Sequence, residues 1–300
     1  MILDMSSSYV DPDSVLEVYP TVQSGTTFFM DMSLDDPTED PCFSYDGINM
    51  HPKQGPPATA YKKTEDCVTY YTTTGSYITY GSNSPPGRSI RLGIYACKGS
   101  KEQTQKHTWK EKPDFLYDEK GIRNHEMTSF IRVHGDLGTD IHKSLACKVC
   151  GGKEDAGRSL IETCYPVGSN DKVRANYNYE HFPYVKVLGV KQFFSGDYLQ
   201  DNKWVGIKHV HIVSDDKSQS INRLYVDTDP FDSSTGKPKN GWRLKGEWID
   251  KGVNAYNDIP CTWRSQVDKI RIDGWDQFDF TLMSIREIDP HATPKVISRV

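Results

Sequence analysis

KWVGIKHVHIV (203–213), INRLYVDTD (221–229), GWRLKGEWID (241–250), KIRIDGW (269–275) and FDFTLMSIREI (278–288) are short β-type runs parted by turn residues. In the third run Trp242, Leu244, Gly246 and Trp248 alternate with Arg243, Lys245 and Glu247. That two-residue period describes a strand with one dry and one wet face. Asn240-Gly241, just ahead of it, is a strong hairpin signal because both residues tolerate positive φ. Paired strands of this kind bury their dry faces by stacking two sheets. The stretch therefore predicts an all-β chain, a two-sheet antiparallel β-sandwich of jelly-roll type.

Composition agrees. Hydrophobic residues make up 36% of the 300 and tyrosine is abundant at 17, with Thr, Val and Ile suited to a pleated surface. A net charge of −5, without a basic run, excludes nucleic acid as an expected partner. No apolar run approaches the roughly 20 residues that a bilayer span requires, so membrane insertion is not expected. MILDMSSSYVDPDS (1–14) has neither a basic segment nor an apolar core, so no leader peptide is visible.

Upstream, GTTFFMDMSLDD (25–36) reads as a first strand, CVTYYTTTGSYITYG (67–81) as a hairpin and RSIRLGIYACKG (88–99) as a strand. KEQTQKHTWKEKPDF (101–115) reads as an exposed insertion, HEMTSFIRVHG (125–135) as an alternating strand, and KVRANYNYEHFPYVKV (172–187) as a strand bent at Pro183. We expect an N-terminal arm at 1–20, one sandwich over 21–290 and a tail at 291–300. The alternative division is a small β-module at 21–100 followed by the sandwich at 101–290.

Seven cysteines, at 42, 67, 97, 147, 150, 164 and 261, are widely spread, a pattern of scattered disulfides in an exported protein. Cys147-Lys-Val-Cys150 also has zinc-ribbon spacing, which Cys164 and His142 or His134 would complete. Zinc ranks below disulfides because a second Cys pair is absent.

EMTSFIRV, YNYEHFPY, KWVGIKHVHIV and the closing IRIDGW…FDFTLMSIREI together resemble secreted β-jelly-roll proteins with a concanavalin-like sandwich, an uncharacterised archaeal-type family. Its members are related in shape to polysaccharide lyases and laminarinase-type glucanases. The matching positions are Glu126, Thr128, Phe130 and Arg132; Lys203, Trp204, Gly206 and Lys208; and Arg271, Asp273, Asp279, Phe280, Ser284, Arg286 and Glu287. The resemblance implies the fold and an extracellular or cell-surface setting, with polysaccharide as partner. It departs from the enzymes at their catalytic strands. The paired acids of the glucanases (Glu-x-Asp-x-x-Glu) are missing, since Thr128 stands two residues after Glu126. A retaining hydrolase needs two carboxylates about 5–5.5 Å apart. The Arg-Thr-Glu-Leu-Arg and Gln-Ile-His strands of alginate-lyase-type enzymes are not reproduced either.

Candidate site residues follow from strand faces. Glu126, Thr128, Phe130, Arg132 and His134 share one face of their strand, opposite the apolar Met127, Ile131 and Val133. That first face predicts a groove floor, with Phe130 stacking a sugar and Glu126 accepting its hydroxyls. Arg174, Asn178 and Glu180, with Asn176, form a polar row suited to sugar hydroxyls, and Trp263 and Trp275, placed in turns, are expected as exposed stacking platforms. β-Elimination needs a neutralised substrate carboxylate, a base and an acid. Arg132, Asn176, His134 and Tyr184 fit those parts and, in an enzyme, would converge in one cleft. His209 and His211 lie two residues apart and form a possible metal pair. Asp227, Asp229 and Asp232, in a loop rich in Ser, Thr and Gly, offer hard oxygen ligands for calcium.

The leading expectation is an extracellular polysaccharide-binding sandwich without clear catalytic machinery. A polysaccharide lyase or glycan hydrolase, and a self-associating structural subunit of a filament, capsid or cell surface, are the alternatives.

Overall fold

The computed structural model describes residues 17–40, 43–46, 53–54, 60–74, 76–79, 86–95, 122–135, 144–151, 158–164, 174–181, 185–195, 200–252, 260–262, 264 and 267–295. The 101–115 segment, Tyr184 and Trp263 lie outside them. The strands are β1 (Thr27–Phe29), β2 (Phe43–Asp46), β3 (Lys53–Gln54), β4 (Ala60–Glu65), β5 (Val68–Thr73), β6 (Ser76–Thr79), β7 (Pro86–Tyr95) and β8 (His125–His134). They continue with β9 (Ser144–Gly151), β10 (Arg158–Cys164), β11 (Arg174–His181), β12 (Val185–Ser195), β13 (Trp204–Val213), β14 (Ser220–Asp227), β15 (Arg243–Asp250), β16 (Val267–Asp273) and β17 (Gln277–Glu287). Among the described residues the only helical element is a 3-10 turn at Pro37–Glu39.

Two antiparallel sheets result. One has eight strands in the order β15-β14-β13-β8-β17-β5-β4, with β1 added beside β17; the other has nine, β12-β11-β10-β9-β16-β7-β6-β3, with β2 beside β7. The chain is thus an all-β sandwich. Between the sheets, Met127, Ile131, Val133, Val205, Ile207, Leu224, Phe278 and Phe280 of the first meet Phe43, Leu92, Leu145, Cys147, Ile270 and Ile272 of the second. Each such side chain contributes about 1.5–3 kcal/mol on burial.

Local chemistry explains several differences from the sequence reading. The expected hairpin at 67–81 does not form, because β5 pairs with β4 and β17 while β6 pairs with β3 and β7 in the other sheet. The turn signal there marks a crossover. The strand expected to bend at Pro183 is two antiparallel strands, β11 and β12. Of 25–36, only Thr27–Phe29 is strand. Asn240 has the left-handed φ (58°) its type allows, yet it ends the 228–242 connection rather than forming a two-residue hairpin tip. Leu244 and Trp248 do not share a face. A register shift opposite Leu224 and Tyr225 sends Leu244 to the outside of the sheet and Trp248 to the inter-sheet core.

The outer face of the eight-stranded sheet is not a simple wet face. Residues of β8 from His125 to Val133 are all buried. A second apolar cluster covers this side, built from Val18, Tyr19, Tyr70, Phe130, Val210, Tyr225, Phe231, Trp242 and Ile288. Two pieces of chain supply the cover: the segment at Val18–Tyr19 and the 228–242 connection with Phe231 and Trp242. Gly206 is required beneath them, since a Cβ there would stand 2.9 Å from both the Phe130 and Trp242 rings.

Candidate functional site

Where that cover ends, the outer face presents a polar cluster drawn from five strands. Arg132 and His134 come from β8, Gln277 and Asp279 from β17, Tyr70 and Thr72 from β5, Glu65 from the end of β4, and Trp204 from β13. Their register is set by the ladder, with Arg132 opposite Asp279 on one side and Trp204 on the other. Asp279 is opposite Thr72 in turn. The rigid sheet, not a loop, aligns these groups.

Asp279 is the hub. Its side chain is fully buried and its Oδ2 accepts from Arg132 Nε at 2.8 Å and contacts His134 Nε2 at 2.5 Å. Gln277 Nε2 donates to Asp279 Oδ1 at 3.2 Å and to Thr72 Oγ1 at 2.8 Å. Burial acts to raise the Asp279 pKa, but hydrogen bonds involving His134, Thr72 and Gln277 outweigh it and hold the carboxyl below its ordinary value.

Arg132 donates its other edge to Glu65 Oε2 at 2.8 Å, and Tyr70 Oη donates to the same oxygen at 3.2 Å. The guanidinium carbon lies 4.8 Å from the ring centres of both Tyr70 and Trp204. Two carboxylates and two aromatic faces therefore fix one cation. The cluster opens outward at Glu65, whose side chain is 55% exposed, and at His134, which is 24% exposed. Hydrogen bonding to Arg132 lowers the Glu65 pKa.

The groove floor predicted along β8 is corrected in its inner half. Phe130 is 0% exposed and packs against Phe231 and Trp242 at ring separations of 5.0 and 5.6 Å, so it offers no platform to a sugar. Glu126 is 0% exposed and is ion-paired to Lys208. Its Oε2 accepts from the backbone N–H of Val18 at 2.9 Å and of Tyr19 at 3.3 Å. Glu126 is thus the anchor of the covering segment rather than a ligand contact.

Of the four proposed catalytic residues, Arg132 and His134 meet here among the described residues. Asn176 belongs to β11 in the nine-stranded sheet, together with Arg174, Asn178 and Glu180. The side chains of β11, and Tyr184 and Trp263 as whole residues, lie outside the described residues. Trp275 is 2% exposed and sits in the inter-sheet core, which removes it as a surface platform. Partly exposed Trp204 is the tryptophan that borders the cluster.

The Asp-rich loop satisfies its own carboxylates. Asp227 accepts from Gly241 N at 2.7 Å and Asp229 N at 3.1 Å, Asp229 pairs with Lys239 at 2.7 Å, and Asp232 accepts from Ser234 and Thr235. No group of three or more His, Cys, Asp or Glu suited to a metal occurs among the described residues. His209 and His211 are buried between the sheets and both face Asn222 Oδ1, at 3.0 and 2.9 Å. The Cys147–Cys150 motif lies within β9, an extended strand rather than the turn that a zinc knuckle uses. Among the cysteines whose side chains are described, Cys67, Cys147 and Cys261, no disulfide forms; Cys147 and Cys261 are buried and Cys67 is an exposed thiol. No described helix is long and apolar enough to cross a membrane.

Asp279, Glu65, Tyr70 and Trp204 were not among the residues the sequence singled out for a site. Asp279 carried a signal, as a carboxylate between Phe278 and Phe280 in a core strand requires a cationic partner.

No family model matches the chain, and no curated protein matches it. Among solved structures it is similar to the CBM2 module of Lactobacillus casei BL23 phage J-1 evolved Dit, at 9% identity and TM-score 0.41, covering 88% of this chain and 98% of that one. Alginate lyase vAL-1 from Chlorella virus matches at 9% identity and TM-score 0.45, covering 89% and 100%. The Botulinum neurotoxin serotype D binding domain matches at 9% and 0.36, covering 88% and 47%. Likeness at this level assigns no role to any residue.

Proposed function

We propose that this protein is an extracellular polysaccharide-binding β-sandwich whose binding surface is the cluster of Glu65, Tyr70, Arg132, His134, Trp204 and Asp279. One observation carries the reading: charged and aromatic groups meet where the apolar cover over the outer sheet face ends. Sugar rings present hydroxyls for carboxylate and imidazole groups and apolar C–H faces for aromatic rings, and this cluster holds both kinds side by side. Its groups are tied to one another across neighbouring strands, so little ordering entropy is lost on binding.

Titration calorimetry with a panel of soluble polysaccharides tests the reading. Binding that Trp204→Ala or His134→Ala weakens at least several-fold supports it. Absence of binding to every polymer in the panel overturns it.

A second reading has its own support. A buried carboxylate on His134 is the arrangement that orients an imidazole for proton transfer, and Arg132 stands beside it. In that case the protein is a lyase or hydrolase, and incubation with the same panel yields unsaturated or reducing ends. Intact polymer after prolonged incubation restricts the function to binding.

A further inference from the structure

The chemistry at Arg132 also bears on which polysaccharide fits; the inference rests on the glycan-binding reading above. An acidic sugar is ordinarily held by a guanidinium whose fork is open to a carboxylate. Here Asp279 occupies the Nε edge, Glu65 occupies a terminal nitrogen at 2.8 Å, and Tyr70 and Trp204 cover the guanidinium, each ring centre 4.8 Å away. The Glu65 carboxylate fills a seat that a uronate carboxylate would otherwise take.

The formal charge of Arg132, Asp279 and Glu65 together is negative by one. Around them stand charges of both signs, among them Asp66 next to Glu65. Exposed Lys63 is opposite Tyr70 and exposed Lys203 precedes Trp204, while Asp201 accepts from Gly135 N at 2.8 Å and the Asp276 backbone N–H donates to the His134 carbonyl at 3.0 Å. An arriving anion thus meets an anion, and like charges at short range oppose one another strongly where water is partly excluded.

Glu65 is also held in position. The turn beyond it, Asp66 and Cys67, has φ of 49° and 63°, the left-handed region that side-chain-bearing residues adopt at some cost. Gly236 of the 228–242 connection packs directly on that turn, leaving no room for a Cβ, which would stand 2.1 Å from the Cys67 carbonyl oxygen. The arrangement fixes a carboxylate at the mouth of the cluster, with Oε2 engaged by Arg132 and Tyr70.

We propose that Glu65 sets specificity: it makes the site one for neutral glycans, whose hydroxyls its carboxylate accepts, and it excludes uronate-bearing ones. Glu65 is a specificity-determining residue in this account, with Arg132 as the cation it masks.

Laminarin and alginate are the probes, titrated into the wild-type protein and into Glu65→Gln at low and high salt. The wild type binds laminarin about tenfold or more tightly than alginate, a margin equal to one unfavourable charge contact. Glu65→Gln, at an exposed position and checked for an unchanged melting temperature, narrows that margin at least several-fold by gaining alginate affinity and losing laminarin affinity. Added salt narrows it in the wild type as well. A wild type that prefers alginate, or a margin that Glu65→Gln leaves unchanged, overturns the proposal about Glu65 while the glycan-binding reading stands. Failure of both proteins to bind either polymer overturns the proposal about Glu65, and the glycan-binding reading falls with it only if the whole panel also fails to bind.

Discussion

The Lys208 ammonium and the Glu126 carboxylate form an ion pair from which solvent is wholly excluded, both side chains being 0% exposed. Lys208 also donates to Thr128 Oγ1 at 2.7 Å and lies 4.8 Å from the Trp242 ring centre. Burial lowers the Lys208 pKa, and Glu126 opposes that shift. The pair matters because the free lone pairs of Glu126 hold the backbone of Val18 and Tyr19 against the sheet.

Lys208→Met strands the Glu126 charge, with an expected loss of about 3–5 kcal/mol in urea denaturation. Adding Glu126→Gln recovers part of it, because two neutral groups need no counter-charge. A double variant no more stable than the single one contradicts this account.

Stability depends on acid through Asp279. Its carboxyl titrates below the unfolded value of about 3.9, so its contribution is fully present above that pH and is lost as pH falls through the lower folded value. Asp279→Asn removes this part of the acid-side slope and destabilises the protein at neutral pH, where Arg132 and His134 lose their shared partner. Melting temperatures from pH 7 downward, for both proteins, make the comparison.

Gly236→Ala costs more than an exposed loop substitution usually does. Its φ is +68° and a Cβ would collide with the Cys67 carbonyl oxygen. We expect a loss of about 1–3 kcal/mol, together with weaker glycan binding, since the displaced turn adjoins Glu65. Calorimetry on the folded variant separates the two effects.

Chelation leaves the melting temperature unchanged in our expectation. The Asp232 carboxyl is held at a pKa of about 2 by hydrogen bonds from Ser234 and Thr235, and Asp227 and Asp229 have partners of their own. A clear fall on adding EDTA, reversed by calcium, identifies a metal site that this loop or another part of the chain supplies.

The sandwich was legible because period-two alternation is a local property, and β8 and β14 show it, as does the Phe278–Phe280 half of β17 before its register shift. The covered outer face was not. Phe130 and Glu126 read as wet-side residues until Val18–Tyr19 and the 228–242 connection lie over them, and these come from more than a hundred and about a hundred positions away, respectively. For the same reason Arg132 and His134 were visible as candidates while their partners were not. Glu65 and Asp279 are separated from Arg132 by 67 and 147 positions, and only strand order makes them neighbours. The Leu244–Trp248 misreading has a smaller cause, one bulge that reverses alternation within a strand.

β17 lies between β8 and β5, and β16 lies between β9 and β7, so a late pair of strands occupies the middle of both sheets. During synthesis, the nine-stranded sheet is therefore in two unjoined pieces until Asp273 has been made and the eight-stranded sheet until Glu287 has been made. The earlier strands must wait with open edges, and β8 cannot meet Asp279 before then. Such a chain folds late and slowly, relies on protection of its nascent edges, and tolerates premature termination before β17 poorly.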